Sequence, residues 1–249
     1  MDHIYNINFV IFVRCLVIDK SALVLFSGGQ DSTVSLLWAC KNFKQVETIG
    51  FNYNQRHIIE MECRKNILTK IKNLSSLCFN AIGKDHVINI PALGLLSETA
   101  LTRDSKIFVE ENGLPNTFVP GRNLVFLNMS AALGWRRNIF NLIGGMCDTD
   151  YSGYPDCRRE TIDAQAKALS LGLDKKIFIH TPLMDMDKSD VWAFSYKLGG
   201  EKFHKIIKDD THTCYLGDRS VLHDWGYGCN VCPACMLRKN GYKEWFKNK

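Results

Sequence analysis

The sequence has little proline and no long apolar run, and each absence narrows the class of protein. Only 6 of its 249 residues are proline and 18 are glycine, which excludes a collagen-like chain. Charged residues make up 23% and hydrophobic residues 46%, the balance of an ordinary folded domain and not of a disordered or coiled-coil chain. A chain of this length buries roughly three-quarters of its surface on folding, so its core requires no disulfide bonds.

The most apolar stretch lies near the start of the chain and is too short to span a membrane. Residues 6–18 (NINFVIFVRCLVI) are interrupted by Arg14 and cannot cross ~30 Å of hydrocarbon. A signal peptide is not expected either, because Asp2 and His3 replace the basic start and no small-residue cleavage site follows. We therefore interpret residues 1–18 as an N-terminal extension or as the product of a start codon placed too early, and expect no membrane association.

Evenly spaced cysteines, typical of a secreted disulfide scaffold, are also lacking. Six of the ten cysteines are scattered, and the other four are Cys214, Cys229, Cys232 and Cys235. Two overlapping C-x-x-C steps preceded by a fourth cysteine indicate a reducing, cytoplasmic compartment and one metal site. Four thiolates suit tetrahedral Zn²⁺ in a structural role, with no position left for water or substrate, and an iron–sulfur cluster on the same ligands remains an alternative.

Apolar patterns along the chain alternate between strand-like and helix-like periods. The predicted strands cover residues 21–26, 46–53, 86–90, 138–144 and 176–180, and the predicted helices cover residues 32–41, 57–74, 122–136, 158–171 and 188–198. Such alternation predicts an α/β fold with a doubly wound parallel sheet, whose ligands bind at the carboxyl ends of the strands. The mostly irregular stretch 91–120 is long for a compact domain, which favours a functional loop.

The first predicted strand runs into a glycine-containing loop, Ser27 to Thr33 (SGGQDST), that opens a helix. Two glycines permit close approach of an anion, and the helix N-terminus supplies N–H donors. The loop matches neither the G-x-x-x-x-G-K-[ST] nor the G-x-G-x-x-G pattern, so kinase-type and dinucleotide-binding loops are disfavoured. It resembles the PP-loop of the N-type ATP pyrophosphatases, which cleave ATP between the α- and β-phosphates.

Four later motifs indicate one family within this superfamily. These are FNYNQRH (51–57), NTFVPGRN (116–123), GMCDTDYSGYPDCR (145–158) and TPLMDMDKSDVW (181–192), followed by the cysteines. From residue 19 to about residue 242 the chain resembles the 7-cyano-7-deazaguanine synthase family of queuosine biosynthesis. The resemblance implies a Rossmann-like PP-loop ATPase domain over residues 19–200 and a C-terminal helical, zinc-binding region over residues 201–249.

The resemblance implies an ATP-dependent carbon–nitrogen ligase that converts 7-carboxy-7-deazaguanine and ammonia to 7-cyano-7-deazaguanine. The carboxylate is adenylated, ammonia gives an amide, and a second adenylation precedes elimination to the nitrile. The partners so implied are ATP with Mg²⁺, ammonia and the small-molecule substrate, with a homodimer and no required nucleic acid.

The same resemblance implies the site residues. Asp31, Ser32, Arg122 and Lys188 are the candidate catalytic residues. The candidate ATP-binding residues are Phe26, Ser27, Gly28, Gly29, Gln30, Asp31, Ser32, Thr33, Val34, Ser35 and Leu36. Arg122 can offer a planar fork to phosphate or carboxylate, and Lys188 stands where related enzymes place a phosphate-binding lysine.

A turn-rich segment after the fourth strand supplies the groups that a deazaguanine pocket requires. Carboxylates accept from ring N–H and amino groups, hydroxyls donate to a carbonyl, and aromatic rings stack on the base. The candidate substrate-binding residues are Tyr53, Gln55, Arg56, Asp148, Asp150, Tyr151, Ser152, Gly153, Tyr154 and Asp156. We call the surface formed by these residues the substrate wall.

Some features depart from the family pattern, and, independently of them, two other functions stay open. Asn52 and Asn54 replace the usual Asp and Gly, residues 1–18 have no counterpart, and the segment between Cys214 and Cys229 is longer than usual. One alternative is a PP-loop tRNA thiolase, for which Cys147 and Cys157 near the pocket would carry sulfur. The other is a zinc-containing tRNA-binding module, suggested by the basic residues and Trp245 of the tail 236–249.

Overall fold

The computed structural model describes residues 18–55, 59–108, 110–111, 113–148 and 154–249. The strands are β1 (Ile18–Leu25), β2 (Phe43–Asn52), β3 (Ile82–Asn89), β4 (Asn141–Ile143), β5 (Phe178–His180), β6 (Leu222–His223) and β7 (Gly226–Tyr227). The helices are α1 (Gln30–Asn42), α2 (Ile59–Lys72), α3 (Ser76–Ala81), α4 (Pro91–Leu96), α5 (Arg122–Arg137), α6 (Arg159–Gly172), α7 (Lys188–Asp210) and α8 (Pro233–Lys247).

Five parallel strands form the central sheet in the order β3-β2-β1-β4-β5. The chain moves outward from β1 through β2 and β3, and then crosses to the other side of β1 for β4 and β5. The point where the direction reverses lies between β1 and β4, which is where an open α/β sheet leaves a crevice at its carboxyl edge. The predicted doubly wound parallel sheet is confirmed.

Alternate residues of the central strand β1 face two separate hydrophobic cores. Ala22 and Val24 pack with α1, α2, α3, α7 and α8, whereas Leu23 packs with α5 and α6. All three side chains are fully buried. Because helices cover both faces of this strand, its residues are apolar in succession and do not alternate with polar ones.

Three helical features differ from the sequence prediction. Helix α3 was not predicted, because it has only six residues and no periodic apolar stripe; the Ser75 hydroxyl accepts the Cys78 N–H at its start. Helix α4 lies in the stretch predicted to be irregular and begins with Pro91, a favoured first helical residue. Helix α7 continues to Asp210 beyond the predicted end at residue 198, with a kink at Gly200 (φ 61°, ψ −158°).

The C-terminal region packs against α7 through a cluster of aromatic rings. The Trp192 and Trp245 ring centroids lie 6.2 Å apart and the planes are nearly parallel, while Tyr242 meets Trp192 edge-on. The predicted boundary between residues 200 and 201 falls at the kink of α7, and both sides of it contribute to one core.

The predicted N-terminal extension, residues 1–18, lies outside the described residues except for Ile18, which begins β1. Among the described residues, no helix has the length and apolar character needed to cross a membrane.

Candidate active site and metal centre

A cavity of about 290 Å³ opens at the carboxyl edge of the sheet, between β1 and β4. Its lining comes from the loops after β1, β2 and β4, from the first turns of α2 and α5, and from Lys188 at the start of α7. These segments are distant in sequence, and the parallel topology brings their ends to the same edge. The cavity is therefore where the sequence predicted a ligand site.

The PP-loop forms the floor of this cavity. Gly28 has φ 97°, and a Cβ there would lie 2.5 Å from the backbone oxygen of Glu60, so no larger residue fits. The Thr33 hydroxyl donates to the Gly29 carbonyl at 2.7 Å, and the Ser27 and Ser32 hydroxyl oxygens lie 3.1 Å apart. Because α1 begins directly after Gly29, which has no side chain to cap it, its first N–H groups are available to an anion.

Asp31 and Lys188 meet in the cavity, although 157 residues separate them. Lys188 Nζ donates to Asp31 Oδ2 at 2.8 Å, and the lysine side chain is only 11% exposed. Asp187 caps α7 by accepting the Asp190 N–H at 2.8 Å, which fixes the backbone that carries Lys188. The pair thus places one positive and one negative group beside the PP-loop.

Two buried polar atoms of the PP-loop have no partner among the described residues. These are Asp31 Oδ1 and Gln30 Nε2. Buried polar atoms are nearly always hydrogen-bonded in folded proteins, so an unsatisfied carboxylate oxygen and amide nitrogen at a cavity wall indicate that a bound group completes them. A carboxylate oxygen is also the ligand type that Mg²⁺ prefers.

Arg122 and two tyrosines form the opposite wall. Arg122 Nη1 donates to Tyr53 Oη at 3.3 Å, and the guanidinium carbon lies 5.8 Å from the centroid of the Tyr154 ring. Burial raises the pKa of Tyr53, so its hydroxyl keeps its proton. The Tyr154 hydroxyl lies 2.6 Å from Thr117 Oγ1, which orients that ring toward the cavity edge.

The structure brings eleven of the predicted residues together at the cavity. The predicted residues that line it are Phe26, Ser27, Gly29, Gln30, Asp31, Ser32, Tyr53, Gln55, Arg122, Tyr154 and Lys188. Gln55 also fixes the backbone at the end of β2. Its Oε1 accepts the Tyr53 N–H, and its Nε2 donates to the Phe51 carbonyl.

Seven other residues predicted to bind ATP or substrate, in the described part of the chain, do not line the cavity, and two of them, Gly28 and Thr33, belong to the PP-loop. Val34 and Leu36 are in the hydrophobic core, and Ser35 is buried within α1. Asp148 is exposed, and Asp156 is buried behind the wall, where its Oδ2 accepts the Asn123 N–H at the start of α5. The other predicted substrate-wall residues, Arg56, Asp150, Tyr151, Ser152 and Gly153, fall outside the described residues.

Two titratable groups in the lining, Glu60 and His212, were not predicted. Burial raises the pKa of Glu60 to about 8, opposed by the charges of Arg122 and Arg64. His212 has its Nε2 3.0 Å from the Cys214 carbonyl, and burial lowers its pKa to about 4. Glu60 lies in the first turn of α2, the helix that follows β2, so its position at the carboxyl edge could have been inferred; nothing in the sequence pattern marks His212.

The four clustered cysteines converge into one group. One sulfur atom from each of Cys214, Cys229, Cys232 and Cys235 lies within 4.8 Å of the other three. The Cys232 N–H also donates to Cys229 Sγ at 3.3 Å, as in a turn that presents two thiolates to one ion. A set of four thiolates matches the ligand set of a structural tetrahedral zinc site.

This cysteine cluster adjoins the cavity. Cys214 follows His212 and Thr213, which line the cavity, and α8 contributes Ala234 and Leu237 to the same lining. Arg238 of α8 is fully buried and donates to the carbonyls of Trp225 and Ile207 and to the Thr213 hydroxyl, at 2.7–3.0 Å. The C-terminal region is therefore one wall of the site.

The chain is similar to known proteins over most of its length. The family model described as "Queuosine biosynthesis protein QueC" matches residues 21–246. A 7-cyano-7-deazaguanine synthase of Rhodopseudomonas palustris (strain TIE-1) is 56% identical over 227 residues, which are 91% of this chain and 96% of that protein. Synthases of the same name from Bordetella avium and Gluconobacter oxydans are 53% and 51% identical, over 91% and 92% of this chain and 93% and 95% of their own lengths.

A solved structure shares the fold at much lower sequence identity. It is a 4-thiouridine synthetase in complex with RNA and ATP, matched with a TM-score of 0.50 and 13% identity over 92% of this chain. The chain spans 51% of that protein's length, and the likeness concerns the fold alone. The family match extends over the PP-loop, both walls of the cavity and the cysteine cluster, and the chain belongs to the QueC family of queuosine biosynthesis proteins.

Proposed function

We propose that this protein converts 7-carboxy-7-deazaguanine and ammonia to 7-cyano-7-deazaguanine, with ATP hydrolysed to AMP and pyrophosphate. The proposal rests on one observation: the PP-loop and the wall of Arg122, Tyr53 and Tyr154 line the same cavity. A carboxylate is a poor electrophile, and adenylation supplies it with a leaving group. In this proposal the cavity would bind the two partners of that step, a triphosphate and a carboxylate, side by side.

The chain's own residues bind and orient these partners. The first N–H groups of α1 and the Ser27 and Ser32 hydroxyls donate to the phosphates, and Lys188 neutralises charge that develops on the departing pyrophosphate. Arg122 faces the substrate carboxylate, to which its guanidinium can donate two parallel hydrogen bonds. The substrate wall, including Arg56 and residues 150–153, orients the deazaguanine ring.

Magnesium fits the unsatisfied oxygen of Asp31. We propose that Asp31 Oδ1 faces the Mg²⁺ that accompanies ATP, which would offset negative charge on the phosphates when bound. Asp31 is then held between that ion and Lys188, which explains why the two oxygens of the carboxylate have different surroundings.

Zinc fits the cysteine cluster, where it would stabilise the fold and take no part in the reaction. Four thiolates fill a tetrahedral coordination shell and leave no position for water or substrate. The cluster joins the segment after α7 to the first turn of α8, and so holds the wall that contains Thr213, Ala234 and Leu237.

The proposal also covers the domain organisation, the location and the partners of the protein. We propose that residues 19–200 form the ATP-binding domain and residues 201–249 the zinc-binding region, and that the protein acts in the cytoplasm as a homodimer without a nucleic acid partner. Arg238 and Trp245 of the basic tail are buried in the core, which supports a structural role for that segment. Sedimentation at several concentrations will test the dimer.

The test is a reaction with purified protein, ATP, Mg²⁺, ammonium and 7-carboxy-7-deazaguanine, followed by mass spectrometry of the products. We expect the mass of the nitrile, together with AMP and pyrophosphate. No nitrile at any ammonium concentration would contradict the proposal. A product that carries sulfur on tRNA when a sulfur donor is supplied would instead support the thiolase, for which Cys147 and Cys157 both line the cavity.

A further inference from the structure

Glu60 places a carboxyl group between the PP-loop and the substrate wall, and the reaction described above gives it no role. It lies in the first turn of α2 and lines the cavity. A Cβ built on Gly29 would lie 3.7 Å from Glu60 Oε1, so the carboxyl reaches the edge of the PP-loop. The charge of Arg122 on the other wall acts on Glu60, and the charge of Glu60 in turn raises the pKa of Tyr53.

The junction that Glu60 occupies is where the reacting carbon of an acyl-adenylate has to lie. In that intermediate the α-phosphate stays near the PP-loop and the ring of the substrate stays against the wall, so the carbonyl carbon is between them. A carboxyl group at the edge of the PP-loop and in the same cavity as that wall is within reach of a nucleophile attacking that carbon.

The surroundings of Glu60 suit it to accept a proton. Burial raises its pKa to about 8, so its conjugate acid is much weaker than that of an ordinary glutamate and its carboxylate is a stronger base. Among the described residues that line the cavity, Asp31 supplies the other carboxyl group, and one of its oxygens is bonded to Lys188.

We propose that Glu60 is the general base for the attack of ammonia on the acyl-adenylate, an inference that rests on the proposed function. The ammonia nitrogen forms a bond to the carboxyl carbon, and the surplus N–H proton passes to the Glu60 carboxylate. The bond between that carbon and the AMP oxygen breaks, and AMP leaves with the electron pair. The products are the primary amide, AMP and a protonated Glu60, which releases its proton to solvent.

The test separates adenylation from amide formation in the variant Glu60→Gln. Adenylation is measured as substrate-dependent exchange of labelled pyrophosphate into ATP, and amide formation as product mass with ammonium. We expect exchange within about threefold of the unaltered protein, and amide formation reduced by roughly 100-fold or more, the usual contribution of a general base. Retained exchange also shows that the variant folds and binds both substrates.

Two matched variants and a second nucleophile sharpen the test. Glu62→Gln alters an exposed glutamate of the same helical turn and should leave both reactions unchanged. Glu60→Asp keeps a carboxyl group and should form amide at least tenfold faster than Glu60→Gln. Hydroxylamine has a less basic nitrogen than ammonia, so the N–H of its addition intermediate is more acidic and loses its proton to water more readily. Its capture of the adenylate as hydroxamate should therefore fall far less in Glu60→Gln.

Different outcomes overturn different claims. Amide formation by Glu60→Gln within threefold of the unaltered protein would overturn the role of Glu60 and leave the proposed function intact. Exchange and amide formation reduced by the same factor would also overturn it, since Glu60 would then act in adenylation or in folding. An unaltered protein that forms neither amide nor nitrile would refute the proposed function together with this inference.

Discussion

Lys188 Nζ and Asp31 Oδ2 lie 2.8 Å apart, and this contact joins the start of α7 to the PP-loop. Asp31 is the second residue of α1, which follows the central strand β1, and Lys188 is the first residue of α7, which follows the edge strand β5. A lysine is one of the groups that stabilise a transferring phosphate, and here a carboxylate holds it at the anion-binding end of α1.

Lys188→Met should abolish adenylation without unfolding the protein. Removing the ammonium group leaves the departing pyrophosphate without its cation, at a cost of about 3 kcal/mol in the transition state or roughly 100-fold in rate. Pyrophosphate exchange measures this directly. Lys197→Met, at an exposed site of the same helix, is the control and should retain full exchange. Full exchange in Lys188→Met would show that the lysine is not part of the ATP site.

Asp31→Ala and Ser32→Ala should each reduce turnover to near zero while the circular dichroism spectrum stays unchanged. Both residues contact the proposed phosphate site, and losing either one costs about 2–4 kcal/mol in the transition state. If both variants turn over substrate normally, the PP-loop is not the phosphate site.

Gly145→Ala should weaken ATP binding through contact with the PP-loop. A Cβ at Gly145 would lie 3.0 Å from both the carbonyl carbon of Asp31 and the backbone nitrogen of Ser32, so the loop must shift. We expect the KM for ATP to rise several-fold with little change in melting temperature. Gly172→Ala is the control, because nothing lies within 4 Å of its Cβ position; an unchanged KM in both variants would mean that the loop tolerates the shift.

Cys232→Ser should lower the metal content and the melting temperature together. The metal links residues on both sides of the β6–β7 hairpin, so the free energy of binding contributes to the free energy of folding. Activity should fall only in proportion to the folded fraction. Elemental analysis with thermal unfolding checks this, and Val231→Ser, at an exposed neighbour, is the control. Loss of the metal with an unchanged melting temperature would contradict the structural role. Iron in the unaltered protein, together with visible absorbance, would show that the cysteines bind an iron–sulfur cluster and not zinc.

A partly buried cluster of charged side chains around Glu47 should make stability depend on pH. Burial opposes ionisation of Glu47, but hydrogen bonds from Arg137 and His86 lower its pKa below the usual value. The stabilisation is therefore complete above the pKa of the unfolded glutamate, about 4.3, and is lost as the pH falls through the lower pKa of the folded protein.

Glu47→Gln tests this cluster. The free energy of unfolding should fall by about 1–3 kcal/mol at pH 7, because Arg137 and His86 lose a charged acceptor. The difference between the variant and the unaltered protein should shrink below pH 4. Denaturant unfolding at pH 7 and at pH 3 measures it, and a difference that does not change with pH would show that the charge of Glu47 does not stabilise the fold.

The sequence was sufficient to predict the parts of the fold that follow from a regular pattern. Apolar runs located the five sheet strands, and the loop after β1 was recognised because two glycines stand between a strand and a helix. The short helices α3 and α4 were missed, since six residues carry no periodicity. The predicted end of α7 at residue 198 is too early, because the glycines that follow bend the helix without ending it.

The site was predicted in outline and not in its detailed contacts. Lys188 and Arg122 were found because they stand in recognisable motifs, whereas the contact between Lys188 and Asp31 depends on the sheet order. For Asp156, the residue type and its motif do not predict the side-chain contact. It stands in a motif expected to bind substrate, yet its side chain accepts the Asn123 N–H at the start of α5. Glu60 was missed because a glutamate in the first turn of a helix is also typical of a helix N-terminus.

The most direct test of the proposed chemistry is oxygen transfer from the substrate to AMP. With ¹⁸O in both carboxylate oxygens of 7-carboxy-7-deazaguanine, each adenylation followed by displacement leaves one substrate oxygen on the phosphate of AMP. Mass spectrometry of the nucleotide should therefore show AMP with one ¹⁸O atom, formed along with the nitrile. AMP without label, or ADP as the main nucleotide product, would contradict an adenylated carboxylate.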